Sequence, residues 1–207
     1  MKKIFNLLFI IMLCFILVGC SKEKEESNQK YIFKGKEYNS LKNIDENDIL
    51  EHIRLVSTLY TEVNKDSFTD EEITIITAFT LMMNGETVTK DEVKTFVKDL
   101  FGKDNFEIKE GIYKNPKPEG TDFKEIIITK IGNEYRSTLY GYGLSDPSNY
   151  FNNIEVKDNT IIVHYDYGHK YIEQEQNNII IGAYDIYLKY KDESLIIDKI
   201  TYKKKAN

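Results

Sequence analysis

The chain has 207 residues, a formal net charge of -6 at pH 7, 41% apolar residues, no tryptophan and two cysteines. An acidic balance excludes an ordinary nucleic-acid binder, whose phosphate partners demand a basic patch; the one basic cluster, Tyr202 to Lys205, reads as a solvated tail. No glycine-rich phosphate loop, metal-spaced cysteine set or catalytic motif stands in the sequence, and the length suffices for one domain with its own core.

Lys2 and Lys3 precede an apolar run from Ile4 to Val18, broken by Asn6, which stops at Gly19-Cys20 and turns into SKEKEESNQK. That is the build of a secretory signal peptide, and the run is shorter than the roughly twenty residues needed to span a bilayer. Leu17-Val18-Gly19-Cys20 resembles the lipobox of bacterial lipoproteins. The resemblance implies that the Cys20 thiol receives a diacylglyceryl group and that the leader, 1–19, is cut just before it. Acyl chains, palmitate among them, would then hold the protein on the extracytoplasmic face of the cell membrane. Gly19 leaves the backbone open to a peptidase, and the thiol is the nucleophile to be alkylated. Cleavage would remove Cys14, leaving no internal disulfide, and would take Lys2 and Lys3 away, so the charge moves from -6 to -8. Residues 20–30 are then the lipidated cysteine and a flexible tether of about 30 Å, and 31–207 a single α+β domain.

In that domain YIFKGKEYNSL predicts a short strand or hairpin. A helix is expected from Asp45 to Asn64, with Ile49, Ile53, Val56, Leu59, Tyr60 and Val63 on one stripe. Thr69 with Glu72 reads as a capping box opening a second helix, whose Ile73, Ile76, Phe79 and Met83 form a stripe ending at Asn84-Gly85. Thr89 with Glu92 repeats the signal for a third helix carrying Val93, Phe96, Val97, Leu100 and Phe101, stopped at Gly102. Asp70, Glu71 and Glu72 are explained by the helix dipole. From Asn105 the period becomes two. Turn residues at Gly132-Asn133, Asp158-Asn159 and KDES predict three successive hairpins. In AYDIYLKY, Tyr184, Ile186, Leu188 and Tyr190 alternate with Asp185, Tyr187, Lys189 and Lys191, the pattern of a sheet with one wet side. The expected architecture is three helices packed on one face of a curved antiparallel sheet, with Ile53, Phe79, Phe96 and Phe101 in the core.

The closing segment YDIYLKYKDESLIIDKITY, in which Leu195 and Ile197 alternate and Ile200 follows after a slip, resembles the NTF2-like α+β cone. Members of that fold include pocketed enzymes, ligand carriers and envelope assembly modules, so the resemblance leaves function open.

His164, Asp166 and His169 form the one histidine-acid constellation. Residues two apart on a strand share a face, so His164 and Asp166 could hold a cation with His169. Because Ile161, Val163, Tyr165 and Tyr167 occupy the alternate positions, the pair is expected on the polar side with no metal, no cofactor and no catalytic residue assigned. His52, mid-helix, is expected at the surface. Eleven of the fifteen tyrosines fall between Tyr135 and Tyr202; of these Tyr140, Tyr142 and Tyr150, on glycine-flanked sequence, are the expected binding residues for an envelope protein, peptide or glycan. The function read from this is a non-catalytic binding domain on a surface lipoprotein. An NTF2-like envelope enzyme, a hydrolase or isomerase with a buried acid beside a tyrosine, and a structural assembly module are the alternatives.

Overall fold

The computed structural model describes residues 30–60, 63–82, 86–114, 124–140, 147–169 and 179–205. Cys20, the leader, most of the tether, Met83 to Gly85 and Tyr142 lie outside the described residues. By its contacts Tyr31–Asn207 forms one compact unit.

The unit opens on a two-stranded hairpin, β1 (Tyr31–Phe33) and β2 (Lys36–Tyr38), turned by Lys34 and Gly35 at positive φ. After a short 3-10 turn, Leu41–Asn43, helix α1 covers Glu46–Leu59. The Asp45 side chain accepts from the Asn47 N–H and so fills one of the orphan donors of its first turn. Ile49, Ile53, Val56 and Leu59 are buried, as the stripe predicts. The helix ends at Tyr60, however, short of the expected Asn64, because the chain is recruited elsewhere: Lys65 exchanges both backbone hydrogen bonds with Ile200, at 2.8 and 2.7 Å.

Helix α2 (Asp70–Leu81) carries the Thr69/Glu72 capping box and α3 (Lys90–Phe101) the Thr89/Glu92 box, both closed in each direction. The β-branched run from Ile73 to Thr77 has weak helix propensity, and burial overrides it. Thr74 and Thr77, both buried, are satisfied by donating to the carbonyls of Asp70 and Ile73 at 2.7 Å. Helix α3 stops at Gly102, left-handed at φ 66°, where a Cβ would also press on Ile196 at 3.2 Å. Ile53 is wholly buried, whereas Phe79, Phe96 and Phe101 are partly exposed residues at the margin of the core.

The remaining strands form two antiparallel sheets rather than the single one expected. One has the order β10-β9-β8-β7, the other β3-β6-β5-β4. The members are β3 (Thr87–Thr89), β4 (Gly111–Lys114), β5 (Glu125–Ile131), β6 (Glu134–Tyr140), β7 (Pro147–Lys157), β8 (Thr160–His169), β9 (Ile179–Lys191) and β10 (Ser194–Lys204). All three expected hairpins are present, as β5–β6, β7–β8 and β9–β10. Local turn signals set each hairpin, but nothing in them pairs β6 with β7, and between those strands the molecule divides into two sheets.

Helix α3 packs on β10, α2 on β5 and β6, and α1 on β7. Single polar contacts pin the layers together. Ser194 Oγ donates to the Asp99 carbonyl at 2.6 Å, Ser137 Oγ to the Met82 carbonyl at 3.1 Å, and Tyr184 OH and Asn149 Nδ2 both donate to the Ser57 carbonyl. In the first sheet Ile161, Val163, Tyr165, Tyr167, Tyr184, Ile186 and Leu188 face inward and are buried. Leu195, Ile197 and Ile200 join them, the odd spacing being absorbed by a bulge between Ile197 and Lys199.

Candidate functional site

The outer face of the second sheet follows from the register. Glu125 pairs with Tyr140, Ile127 with both Ile112 and Thr138, Thr129 with Arg136, and Ile131 with Glu134. Paired residues share a face, so Ile112, Ile127, Ile131 and Tyr140 are all on the side opposite buried Ile126 and Ile128. Ile112 is 64% exposed, Tyr140 53% and Ile131 52%; among the described residues these are the large apolar side chains in solvent. Ile112, Ile127 and Tyr140 are cross-strand or diagonal neighbours, while Ile131 is four residues along β5 from Ile127, about 13 Å away. Thr129, Thr138, Arg136 and Lys114 surround them, exposed. The sheet's edges are β3 and β4.

Of the three tyrosines expected to bind, Tyr140 is therefore on an open surface and Tyr142 lies outside the described residues. Tyr150 is different. It is on β7 opposite Asp166, half-buried, its hydroxyl shielded from solvent without a hydrogen-bond partner among the described residues. Tyr140 and Tyr150 are thus on different sheets and do not form one loop surface.

The aromatic density of the first sheet serves packing. Tyr165 and Tyr184 are Cα partners whose rings stack at 4.9 Å, and Phe151 meets Tyr165 edge-on at 6.0 Å. Burial pushes both phenol groups above their ordinary pKa, so they stay neutral donors.

His164 is on the outer side of this sheet, as the alternation predicts. Its Nδ1 is 2.7 Å from Asp185 Oδ1 across the β8–β9 pair, and its Nε2 is 3.7 Å from Glu155 Oε2. The acid partner is Asp185 and not Asp166, because cross-strand neighbours stand closer than residues two apart along a strand. His169 closes β8. Among the described residues no group of three or more His, Cys, Asp or Glu side chains is placed to hold a metal ion.

His52 departs from its expected surface position. Its Nε2 is 2.8 Å from the Leu195 carbonyl, its ring meets Phe33 edge-on at 5.2 Å, and it is partly buried where α1 meets β10. A carbonyl only accepts, so Nε2 carries the proton and donates. Burial holds the ring below its ordinary pKa, opposed by that hydrogen bond. The sequence carried a signal for this: His52 is three residues after Ile49 and four before Val56, on the flank of the buried stripe.

An acid buried beside a tyrosine would mark an enzyme. Among the described residues the buried polar side chains are Ser57, Thr74, Thr77, Ser137 and Ser194. Two acids, Glu72 and Glu71, act on buried Tyr60, and Glu72 is partly buried and committed elsewhere. Burial pushes its carboxyl up, but hydrogen bonds from Lys65 and Thr69 outweigh this and hold it below the usual range. It acts as an ionised cap.

No family model matches the chain, and neither does any curated protein or solved structure.

Proposed function

We propose that the chain is a membrane-anchored surface lipoprotein whose α+β domain binds a protein or peptide partner without catalysis, using the outer face of the β3-β6-β5-β4 sheet. Support for the anchor is the order of the sequence: charged leader, apolar run, Leu17-Val18-Gly19-Cys20, polar tether. One observation carries the binding reading. The large apolar side chains most exposed among the described residues, Ile112, Ile131 and Tyr140, all fall on one face of one sheet. A wet sheet face ordinarily alternates to polar residues, and apolar and aromatic anchors with a polar surround are the composition of an interface. The finer fold assignment belongs to the same proposal: the β9–β10 hairpin, with its bulge and the trio Leu195, Ile197 and Ile200, supports an NTF2-like arrangement.

The test is photocrosslinking in intact cells with the native chain and the double variant Ile112→Ser, Tyr140→Ser. The expected outcome is a crosslinked partner with the native chain, its loss in the variant, and an unchanged melting temperature. An identical crosslink from the variant contradicts the assignment of this face, and unfolding of the variant shows that the side chains are structural.

A further inference from the structure

We propose that the open cleft bordered by the β1–β2 turn, α1, α3 and the β9–β10 turn is a binding site for a small amine that carries its cationic group on an apolar chain. The cleft has a volume of about 420 Å³, within the range of small-molecule sites. Its floor is apolar: Phe33 and Leu100 belong to the core and Phe96 is partly exposed at its margin.

The polar groups on its walls are matched in kind. His52 spends its one N–H on the Leu195 carbonyl, which leaves Nδ1 as a lone-pair acceptor making no hydrogen bond within the described residues. Asp99, Asp192 and Glu193, all exposed at the rim, add carboxylates that form no ion pair among the described residues. The hydroxyl of Ser194 is used on the Asp99 carbonyl. Lys34 borders the cleft but is engaged with Glu51 at 2.7 Å, and Lys98, close to both Asp99 and Asp192, is paired with Asp104 at 3.0 Å. Among the described residues the side chains around the cleft therefore offer acceptors and negative charge, with the ammonium groups of Lys34 and Lys98 already paired.

Complementarity then sorts the ligand classes. An anion meets three carboxylates. An uncharged apolar molecule leaves the His52 acceptor and the acids without donors. A hard divalent cation needs several oxygen ligands at about 2.1–2.6 Å, and the side chains of Ile32, Phe33, Phe96 and Leu100 supply none. An ammonium with an alkyl chain satisfies both kinds of lining, with donors to the acids and Nδ1, and its methylenes and charge against the partly exposed Phe96 ring. Burial already pushes the Asp99 carboxyl above its ordinary pKa, with Lys98 only partly opposing; a bound ammonium would relieve that.

The experiment is calorimetric titration of the full chain, held in a neutral detergent, with hexylamine, 1,5-diaminopentane, methylamine and calcium chloride at pH 7.5. Expected are one saturable site for hexylamine and the diamine, affinity for methylamine at least tenfold weaker, and a loss of at least fivefold in Asp99→Asn and in Glu193→Gln. Thermal melts of the variants establish that they fold, and Glu193→Gln, on an exposed turn, serves if Asp99→Asn does not. Absence of saturable binding by either long-chain amine overturns the proposal. So does equal binding by methylamine, full displacement by equimolar calcium, or affinity unchanged in the folded acid variants.

Discussion

Replacing Lys65 with Met isolates the contact that turns the chain out of α1 and onto α2. Lys65 Nζ is 2.6 Å from Glu72 Oε1, and the two side chains are 19% and 17% exposed, so solvent screens the pair only weakly. The same ammonium lies over the rings of Tyr60 and Phe68, at 5.6 and 5.4 Å. Methionine keeps the packing of the stem and removes the charge. Breaking a fully buried pair leaves an uncompensated ion and costs about 3–5 kcal/mol. Here Glu72 retains bonds from the Thr69 N–H and hydroxyl, at 2.8 and 3.0 Å. The expected loss is therefore about 2 kcal/mol, to which the lost cation–π contacts contribute roughly 0.5–1 kcal/mol. Urea titration followed by circular dichroism measures it. The double variant Lys65→Met, Glu72→Gln, which keeps an amide able to cap Thr69, should recover most of the loss. Because the folded pKa of Glu72 is below its ordinary 4.5, its contribution is complete above that pH and is lost as pH falls through the folded value. In Lys65→Met that acid-sensitive component should shrink. A loss below about 0.5 kcal/mol, the ceiling for an inconsequential surface change, with an unchanged acid limb, refutes this account of the turn.

Two further outcomes follow from burial. Ile53→Ala, at a side chain of 0% exposure, should cost about 2–5 kcal/mol, and Phe79→Ala distinctly less because that ring is partly in solvent; denaturant midpoints rank the two. For His52 the folded pKa is depressed, so the stability it contributes is present above the ordinary 6.5 and is lost as pH falls below it. Since His52→Gln keeps a donor for the Leu195 carbonyl and removes the titration, melting temperatures of native chain and variant should converge between pH 7.5 and 5.5.

What the sequence made legible was local. Both capping boxes, the Gly102 stop and the three hairpins depend on residues within a few positions of one another, and all are present. The bulge near Asp198 was also readable, since Ile197 and Ile200 could share the core only if the strand slipped. The missed features are long-range. Helix α1 ends early because Lys65 pairs with Ile200, far along the chain, and no stop residue announces it. Division into two sheets depends on β3 pairing with β6, a three-residue strand too short to show a period. Period two does place Tyr140 opposite in face to Tyr135, Ser137 and Leu139, but β4 is four residues long and gave no warning of Ile112. Tyr140 and Tyr150 are close in sequence, but the one is on β6 and the other on β7, in different sheets.

The anchor is the claim on which the surface-binding function rests, and metabolic labelling with radioactive palmitate tests it directly. The native chain should incorporate label, partition into detergent and migrate as the product cut before Cys20. Cys20→Ser should remain unlabelled and uncut. Equal labelling of the two proteins, or none in either, contradicts a lipoprotein.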